Sequence, residues 1–142
     1  MKAISISNIK TEKLTPLDFY NNVKYKMFGI SESYSTLVPL YQELLREILG
    51  SKVDELFHDH ILTNAEISSI KFIFEREFNK KLIKYKSSEK PAHKDIIWQN
   101  KTYSLDLRFT NPEHRLINDY FLIISICKEC ISENKPMYLS IE

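Results

Sequence analysis

Apolar residues recur every three to four positions in several parts of the chain, which is the spacing of amphipathic helices. Thr63 and Glu66 have the separation of a capping box, and Pro112 is well placed to begin a helix. We expect Gly29 and Gly50 to end the helices before them, because glycine readily adopts the left-handed conformation. The patterns together predict four or five helices, at positions 15–28, 36–49, 51–61, 63–81 and 111–133.

Other stretches alternate between polar and apolar residues, which is the period of a half-buried strand. They cover positions 2–7, 82–86, 96–99, 102–109 and 137–141. Asn100 and Lys101 predict a hairpin turn, whereas the polar residues 87–95 predict a mobile loop. We expect both chain termini and the 96–109 hairpin to share one small, mostly antiparallel sheet with helices on its packed face. The prediction is an α+β fold in a single domain, 1–142.

Only two glycines occur among the 142 residues, and this scarcity excludes several classes of enzyme that are recognised by motif. Phosphate-binding loops need several glycines so that backbone N–H groups can approach the ligand. Neither the dinucleotide-binding motif nor the P-loop motif can be written in this sequence, and the nucleophile elbow of serine hydrolases is also missing. The sequence therefore predicts no catalytic residue and no cofactor.

The cysteines and histidines do not have the spacing of a metal site. Cys127 and Cys130 lie three positions apart, but no second pair of ligands accompanies them. We expect both thiols to pack in the core, where free cysteine is often found. His58 and His60 lie two positions apart and so do not share one face of a helix. We predict no bound metal.

Hydropathy and cysteine usage predict a cytoplasmic protein. Residues 1–7 alternate between polar and apolar and lack the continuous apolar region of a secretory signal. The longest apolar run, 120–124, is far shorter than the ~20 residues that span a bilayer, so we expect no membrane association. Two cysteines within one predicted helix do not make a disulfide framework, which favours a reducing compartment.

Charge is divided unevenly along the chain. Positions 31–66 hold seven acidic and two basic residues, a net charge of −5, whereas positions 67–108 hold ten basic and five acidic residues, a net charge of +5. Such blocks steer oppositely charged partners when they fold onto separate faces, and aromatic residues are favoured interface anchors. We therefore predict a protein-binding surface in the acidic block. Its residues are Glu43, Glu47, Asp54, Glu55 and Asp59, with Tyr41 and Phe57 as nearby anchors.

Two other functions stay open. The basic block places lysines near aromatic rings, and these are the ingredients of a single-stranded nucleic-acid site. The net charge of +1 for the whole chain is low for a dedicated nucleic-acid domain. The second alternative is a small enzyme whose site has no recognisable motif. The candidate nucleic-acid residues are Lys80, Lys81, Lys84, Lys86, Tyr85 and Trp98.

The acidic segment that contains Glu43, Glu47, Asp54, Glu55 and Asp59 also supports a resemblance at the level of protein class. In size, in α+β build and in the lack of a catalytic motif, the chain resembles the small cytosolic immunity proteins that neutralise toxins in bacterial competition, including contact-dependent growth inhibition. The resemblance implies a monomer that forms a one-to-one complex with a cognate toxin, often a basic nuclease. The acidic groups would then stand where the toxin otherwise binds nucleic-acid phosphates.

Overall fold

Helices and antiparallel strands surround one hydrophobic core in the computed structural model, which describes residues 2–10, 26–33, 35–85, 93–106 and 112–142. The strands are β1 (Ala3–Ser7), β2 (Met27–Ser31), β3 (Phe57–Ile61), β4 (His93–Trp98), β5 (Lys101–Asp106) and β6 (Tyr138–Ile141). The helices are α1 (Val38–Leu49), a short 3-10 helix (Gly50–Asp54), α2 (Asn64–Ile83) and α3 (Pro112–Ser132).

The starts and ends of the helices follow local sequence signals. The Glu66 backbone N–H donates to the Thr63 hydroxyl at 3.1 Å, and the Thr63 N–H donates to the Glu66 carboxylate at 2.9 Å, which confirms the predicted capping box. Pro39 lies in the first turn of α1, where its missing N–H removes no helical hydrogen bond. Gly50 ends α1 with a φ of 61°, a conformation that glycine adopts without a steric penalty.

The four-stranded sheet brings the two ends of the described chain together. Its strand order is β2-β1-β6-β3, and every pair is antiparallel. Ile4 pairs with Ile30 on one side and with Ile141 on the other, and all three side chains are buried. The alternation that predicted strands at both termini is therefore confirmed, with the apolar set facing the helices.

The predicted hairpin forms, but it does not join this sheet. Strands β4 and β5 pair only with each other among the described residues. Strand β5 lies against α3, and Ile96 of β4 and Leu105 of β5 are buried in the hydrophobic core. The turn also lies one residue earlier than predicted, because Gln99 and Asn100 adopt φ values of 49° and 63°. Positive φ at both central residues is the geometry that suits the twist of a two-residue hairpin.

Two predicted helical segments are strands. Met27–Ser31 pairs with β1 and places Gly29 in the middle of a strand, so Gly29 ends no helix. Phe57–Ile61 pairs with β6, so the helix predicted for 51–61 is replaced by the 3-10 turn and this strand. The hydrogen-bonding edges of β1 and β6 are available to these segments, and tertiary pairing of this kind overrides weak local helical periodicity. The remainder of the predicted 15–28 helix lies outside the described residues.

The other differences concern helix number and the region after α2. The part of the chain that the structure describes has three α-helices and one 3-10 helix, rather than four or five helices. The predicted strand at 82–86 is wrong where it is described, because α2 continues to Ile83 with Leu82 packed against the core. The predicted loop at 87–95 is wrong from His93 onward, where β4 begins.

The centre of the core is a cluster of four rings contributed by β2 and all three α-helices. The ring centroid of Tyr41 lies 5.1 Å from that of Phe28, 6.3 Å from that of Phe74 and 5.9 Å from that of Tyr120. All four residues are buried, and we call them the aromatic cluster. Ring pairs at these separations contribute packing beyond their buried area, so this cluster locks the helices to the sheet.

Candidate functional site

Three side chains from α1 and the 3-10 helix form an ion-pair network at the surface. The positive φ of Gly50 lets the chain leave α1 and enter the 3-10 helix, in which Asp54 lies within hydrogen-bond distance of Arg46 on α1. The Arg46 guanidinium donates to both Asp54 carboxylate oxygens, at 2.6 and 2.8 Å, and its Nε donates to Glu43 at 3.2 Å. One guanidinium therefore fixes the positions of two carboxylates, with the planar fork that arginine provides.

The network favours the ionised form of the Asp54 carboxylate. The hydrogen bonds from Arg46 hold the pKa of Asp54 below its usual value, and the same interaction raises the pKa of the Arg46 guanidinium. Gln42 adds a further donor, with its amide nitrogen 3.3 Å from Asp54 and 3.2 Å from the Val53 carbonyl. The buried amide thus ties the surface network to the backbone of the 3-10 helix.

Glu47 lies one turn further along α1 and joins the acidic block to α2. Its two carboxylate oxygens each lie 3.1 Å from one terminal nitrogen of Arg76, and this bond raises the pKa of the Arg76 guanidinium. The blocks of opposite charge therefore meet at this point of the surface rather than lying wholly apart. Four carboxylates and two guanidinium groups make up the acidic surface, which we define as Glu43, Glu47, Asp54, Glu55, Arg46 and Arg76.

The other predicted contact residues lie elsewhere. Asp59 lies in an irregularity of β3 with a φ of 47°, and its N–H donates to the Ser140 hydroxyl at 2.8 Å. Phe57 is half-buried, with its ring 5.6 Å from that of His60. Tyr41 is only 1% exposed, and its hydroxyl donates to Asp119 at 2.7 Å. Tyr41 therefore belongs to the aromatic cluster and does not reach the acidic surface.

Two exposed apolar side chains near the acidic surface were not predicted as contacts. Leu56 follows Glu55 directly and is 71% exposed, and Phe72 on α2 is 67% exposed. The sequence carried a signal for Phe72, because it falls outside the apolar stripe of α2 formed by Ile67, Ile70 and Phe74. Apolar groups beside a charged rim are typical of protein interfaces.

The candidate nucleic-acid residues make mainly intramolecular contacts. The Lys80 ammonium lies 3.2 Å from Glu77 and the Lys81 ammonium 2.9 Å from Glu113, while Lys84 is exposed and Lys86 lies outside the described residues. The Tyr85 ring packs against Tyr103 and His114. Trp98 packs edge-on against Phe78, and Lys128 covers its face at 4.4 Å. Base stacking needs free ring faces, so this geometry does not favour the nucleic-acid alternative.

The histidines with described side chains lie in separate surroundings. His58 pairs with Glu142 at 3.0 Å, His60 lies 3.2 Å from the Lys52 ammonium, and buried His114 accepts the Asp106 backbone N–H at 2.9 Å. Within the described ranges, no group of three or more histidine, cysteine or acidic side chains has the arrangement of a metal site. These histidines therefore do not converge on one another in a shared site.

The thiols of α3 are buried next to sulfur and backbone groups. Cys127 is 3.9 Å from the Met137 sulfur, and Cys130 is 3.6 Å from the Pro136 carbonyl oxygen. Burial raises the pKa of the Cys127 thiol to about 12 and that of Cys130 to about 11. Both cysteines are free and buried, as expected from the sequence. None of the helices in the described part of the chain has the length and apolar character needed to cross a bilayer.

Comparison with protein-family models, with curated proteins and with solved structures found no match to this chain. Relatives therefore supply no residue roles, and the function must be inferred from the geometry of the surface. In the described part of the chain, one guanidinium group of that surface holds two carboxylates in the network of Glu43, Arg46 and Asp54, with the ion pair of Glu47 and Arg76 beside it.

Proposed function

We propose that the protein is a non-catalytic binding module that holds a basic protein partner through the acidic surface. The observation that carries this proposal is the bidentate contact of Arg46 with Asp54, together with its bond to Glu43. Side chains fixed before binding lose less conformational entropy when the partner arrives. The six side chains that define the acidic surface include two more carboxylates than guanidinium groups, and this excess negative charge attracts basic groups, although the positive charge of Lys2 also acts on Asp54 and offsets part of it.

The class of protein that fits this proposal best is the immunity protein of a bacterial toxin–immunity pair. We propose that it forms a one-to-one complex with a cognate toxin in the cytoplasm, and that the toxin is a nuclease with a basic substrate-binding surface. Carboxylates held in place on α1 and the 3-10 helix would occupy the positions of nucleic-acid phosphates. The two free, buried thiols suit a reducing cytoplasm, since neither takes part in a disulfide.

The test starts from affinity capture in the native host and then measures binding to the captured protein after it has been purified. Because Glu43 and Glu47 both carry exposed carboxylates, the double change Glu43→Lys with Glu47→Lys reverses the charge of the acidic surface without touching the core. We expect association to slow by about ten-fold or more at low salt, and the difference to shrink as salt screens the charges. Stopped-flow mixing at two salt concentrations measures both effects.

Glu133→Lys is the control at a separate exposed site, with half the charge change of the double variant; like Glu43 and Glu47, Glu133 is exposed and paired with a nearby base, here Lys135. Glu133 directly follows α3 and is not part of the acidic surface. An equal loss of association rate for the control and for the double variant would refute the proposed surface. A captured partner that loses no toxicity or enzymatic activity in the complex would refute the immunity class. Salt-sensitive retention of single-stranded RNA without any protein partner would favour the nucleic-acid alternative instead.

A further inference from the structure

A shallow cleft of about 520 Å³ separates the outer sides of α1 and α2, directly beside the acidic surface. Ile48 on α1 and Ile73 on α2 supply apolar lining, and Ser68 and Ser69 are small enough to leave space next to them. The ring of Phe72 forms one wall. Phe72, Ile48 and Ile73 therefore form an apolar depression within a cleft whose other lining residues, Glu47, Ser68, Ser69 and Arg76, are polar or charged.

Phe72 is a large apolar side chain of this cleft that is mostly exposed to solvent. Its ring is 67% exposed, whereas the next two residues, Ile73 and Phe74, are 7% and 0% exposed. The ring is missing from the buried core and makes no ring–ring contact in the part of the chain that the structure describes. A large aromatic side chain at the rim of an apolar depression is typical of an interface anchor that becomes buried when a partner binds.

Charged groups beside the cleft indicate the charge of the side chains that a partner would place there. The contact between Glu47 and Arg76 lines the cleft. The Glu47 side chain is still 47% exposed, and that of Glu43, one turn away, is 66% exposed. An ionised carboxylate offers about four acceptor positions, so both groups keep capacity for further donors. Arg46 and Arg76 balance the charge of these two glutamates, so what the glutamates offer to cationic donors of a partner is open acceptor positions within one helical turn of the apolar depression.

We propose that this cleft binds a segment of the partner protein in which an apolar side chain is flanked by arginine or lysine. The apolar side chain packs between Phe72 and the two isoleucines, and the cationic side chains contact Glu43 and Glu47. This inference rests on the proposed function, since it extends the acidic surface onto α2. Phe72 replaces Tyr41 as the aromatic anchor, because only Phe72 of the two is exposed.

Titration of the isotopically labelled protein with short synthetic peptides tests the chemistry of the cleft by NMR. The probe is a peptide that combines leucine with arginine, and its two controls replace every leucine by serine or every arginine by glutamate. We expect saturable, salt-sensitive shifts at Ile48, Phe72 and Ile73 with the probe, and affinity weaker by about ten-fold or more for both controls. Equal binding of the glutamate peptide, or shifts confined to other surfaces, would overturn the proposal.

Phe72→Ser and Ile83→Ser form a matched pair of variants. Both residues are exposed apolar positions on α2, at 67% and 85%, so neither change removes a core contact, but only Phe72 lines the cleft. We expect Phe72→Ser to weaken probe binding by about ten-fold or more and Ile83→Ser to leave it unchanged. Equal effects of the two variants would contradict the inference.

The same variants separate this inference from the proposed function. Suppose that a captured toxin binds with the expected sensitivity to Glu43→Lys and Glu47→Lys but is unaffected by Phe72→Ser. The cleft inference is then wrong and the acidic surface stands. If instead the probe peptide binds as expected while the captured partner is no toxin, the immunity class is wrong and the cleft inference stands.

Discussion

The aromatic cluster and the acidic surface are built on the same helices, α1 and α2, but they satisfy their polar groups differently. In the cluster, the Tyr41 hydroxyl donates to the half-buried carboxylate of Asp119 at 2.7 Å. At the acidic surface, Arg46 and Arg76 hold carboxylates that stay half exposed. Packing in the cluster contributes to folding stability, whereas the surface leaves an apolar ring and charged groups available to a partner.

The comparison between Phe74 and Phe72 gives the largest expected effect. Phe74 is fully buried among the rings of Tyr41 and Tyr120, so Phe74→Ala leaves a cavity and should lower the free energy of unfolding by about 3–5 kcal/mol. Phe72→Ala removes an exposed ring and should change this free energy by no more than about 0.5 kcal/mol. Urea denaturation of both variants measures the two values, and similar losses would show that Phe72 belongs to the core.

The second largest expected effect on stability concerns the hydrogen bond between the Tyr41 hydroxyl and Asp119. Tyr41→Phe keeps the ring but removes the donor, and the Asp119 carboxylate, which also lies 3.9 Å from Arg115, loses its hydrogen bond in a half-buried position. Leaving such a group without this partner should lower the free energy of unfolding by about 1–3 kcal/mol. Tyr138→Phe, at a half-buried position on β6, is the control and should change it much less.

The pH dependence of the Tyr41→Phe variant identifies Asp119 as the affected group. Burial raises the pKa of Asp119 above its usual 3.8, and the Tyr41 hydrogen bond opposes that rise. A raised pKa in the folded state favours folding below the unfolded value, and this contribution is lost as the pH rises through the folded value. Without the hydroxyl the folded pKa rises further, so the variant should lose more stability at neutral pH than at about pH 3. An equal loss at both pH values would contradict this assignment.

The last prediction, with the smallest expected effect on stability, compares the reactivity of thiols in the core with that of a thiol in the cleft. Because burial raises the pKa of Cys127 and Cys130 to about 12 and about 11, the native protein should react with a disulfide reagent only when it unfolds. Ser69→Cys places a thiol in the exposed cleft and should react at once, with no measurable change in stability. Rapid labelling of the native cysteines would show that the end of α3 opens easily.

Prediction from the sequence succeeded where a local signal decides the structure. The capping box at Thr63, the proline that begins α3 and the alternation of the terminal strands all act within a few residues. The position of Tyr41 on the apolar stripe of α1 already predicted burial, and its use as a surface anchor conflicted with that pattern. Phe72 could have been found by the same reasoning, because it lies off the stripe of α2.

Prediction failed where distant segments decide the structure. Met27–Ser31 and Phe57–Ile61 become strands because β1 and β6 offer them hydrogen-bonding edges, and residues so far apart in sequence give no local sign of this pairing. The sequence predicts that the hairpin of β4 and β5 joins the sheet formed by the chain termini, and this prediction is wrong for the same reason. The contact between Glu47 and Arg76 joins residues from the two oppositely charged blocks, which a count of charges along the chain cannot reveal.

The amino-acid sequence alone determined the α+β class, the central helices, the burial of the thiols and the location of the acidic segment. These properties follow from side-chain periodicity, capping and composition, which act over one or two turns of chain. Only the tertiary structure decided which strands pair, which carboxylates Arg46 and Arg76 hold, and that a cleft beside Phe72 adjoins them. Those features depend on contacts between segments that are remote in sequence, and such contacts exist only once the core has brought the helices together.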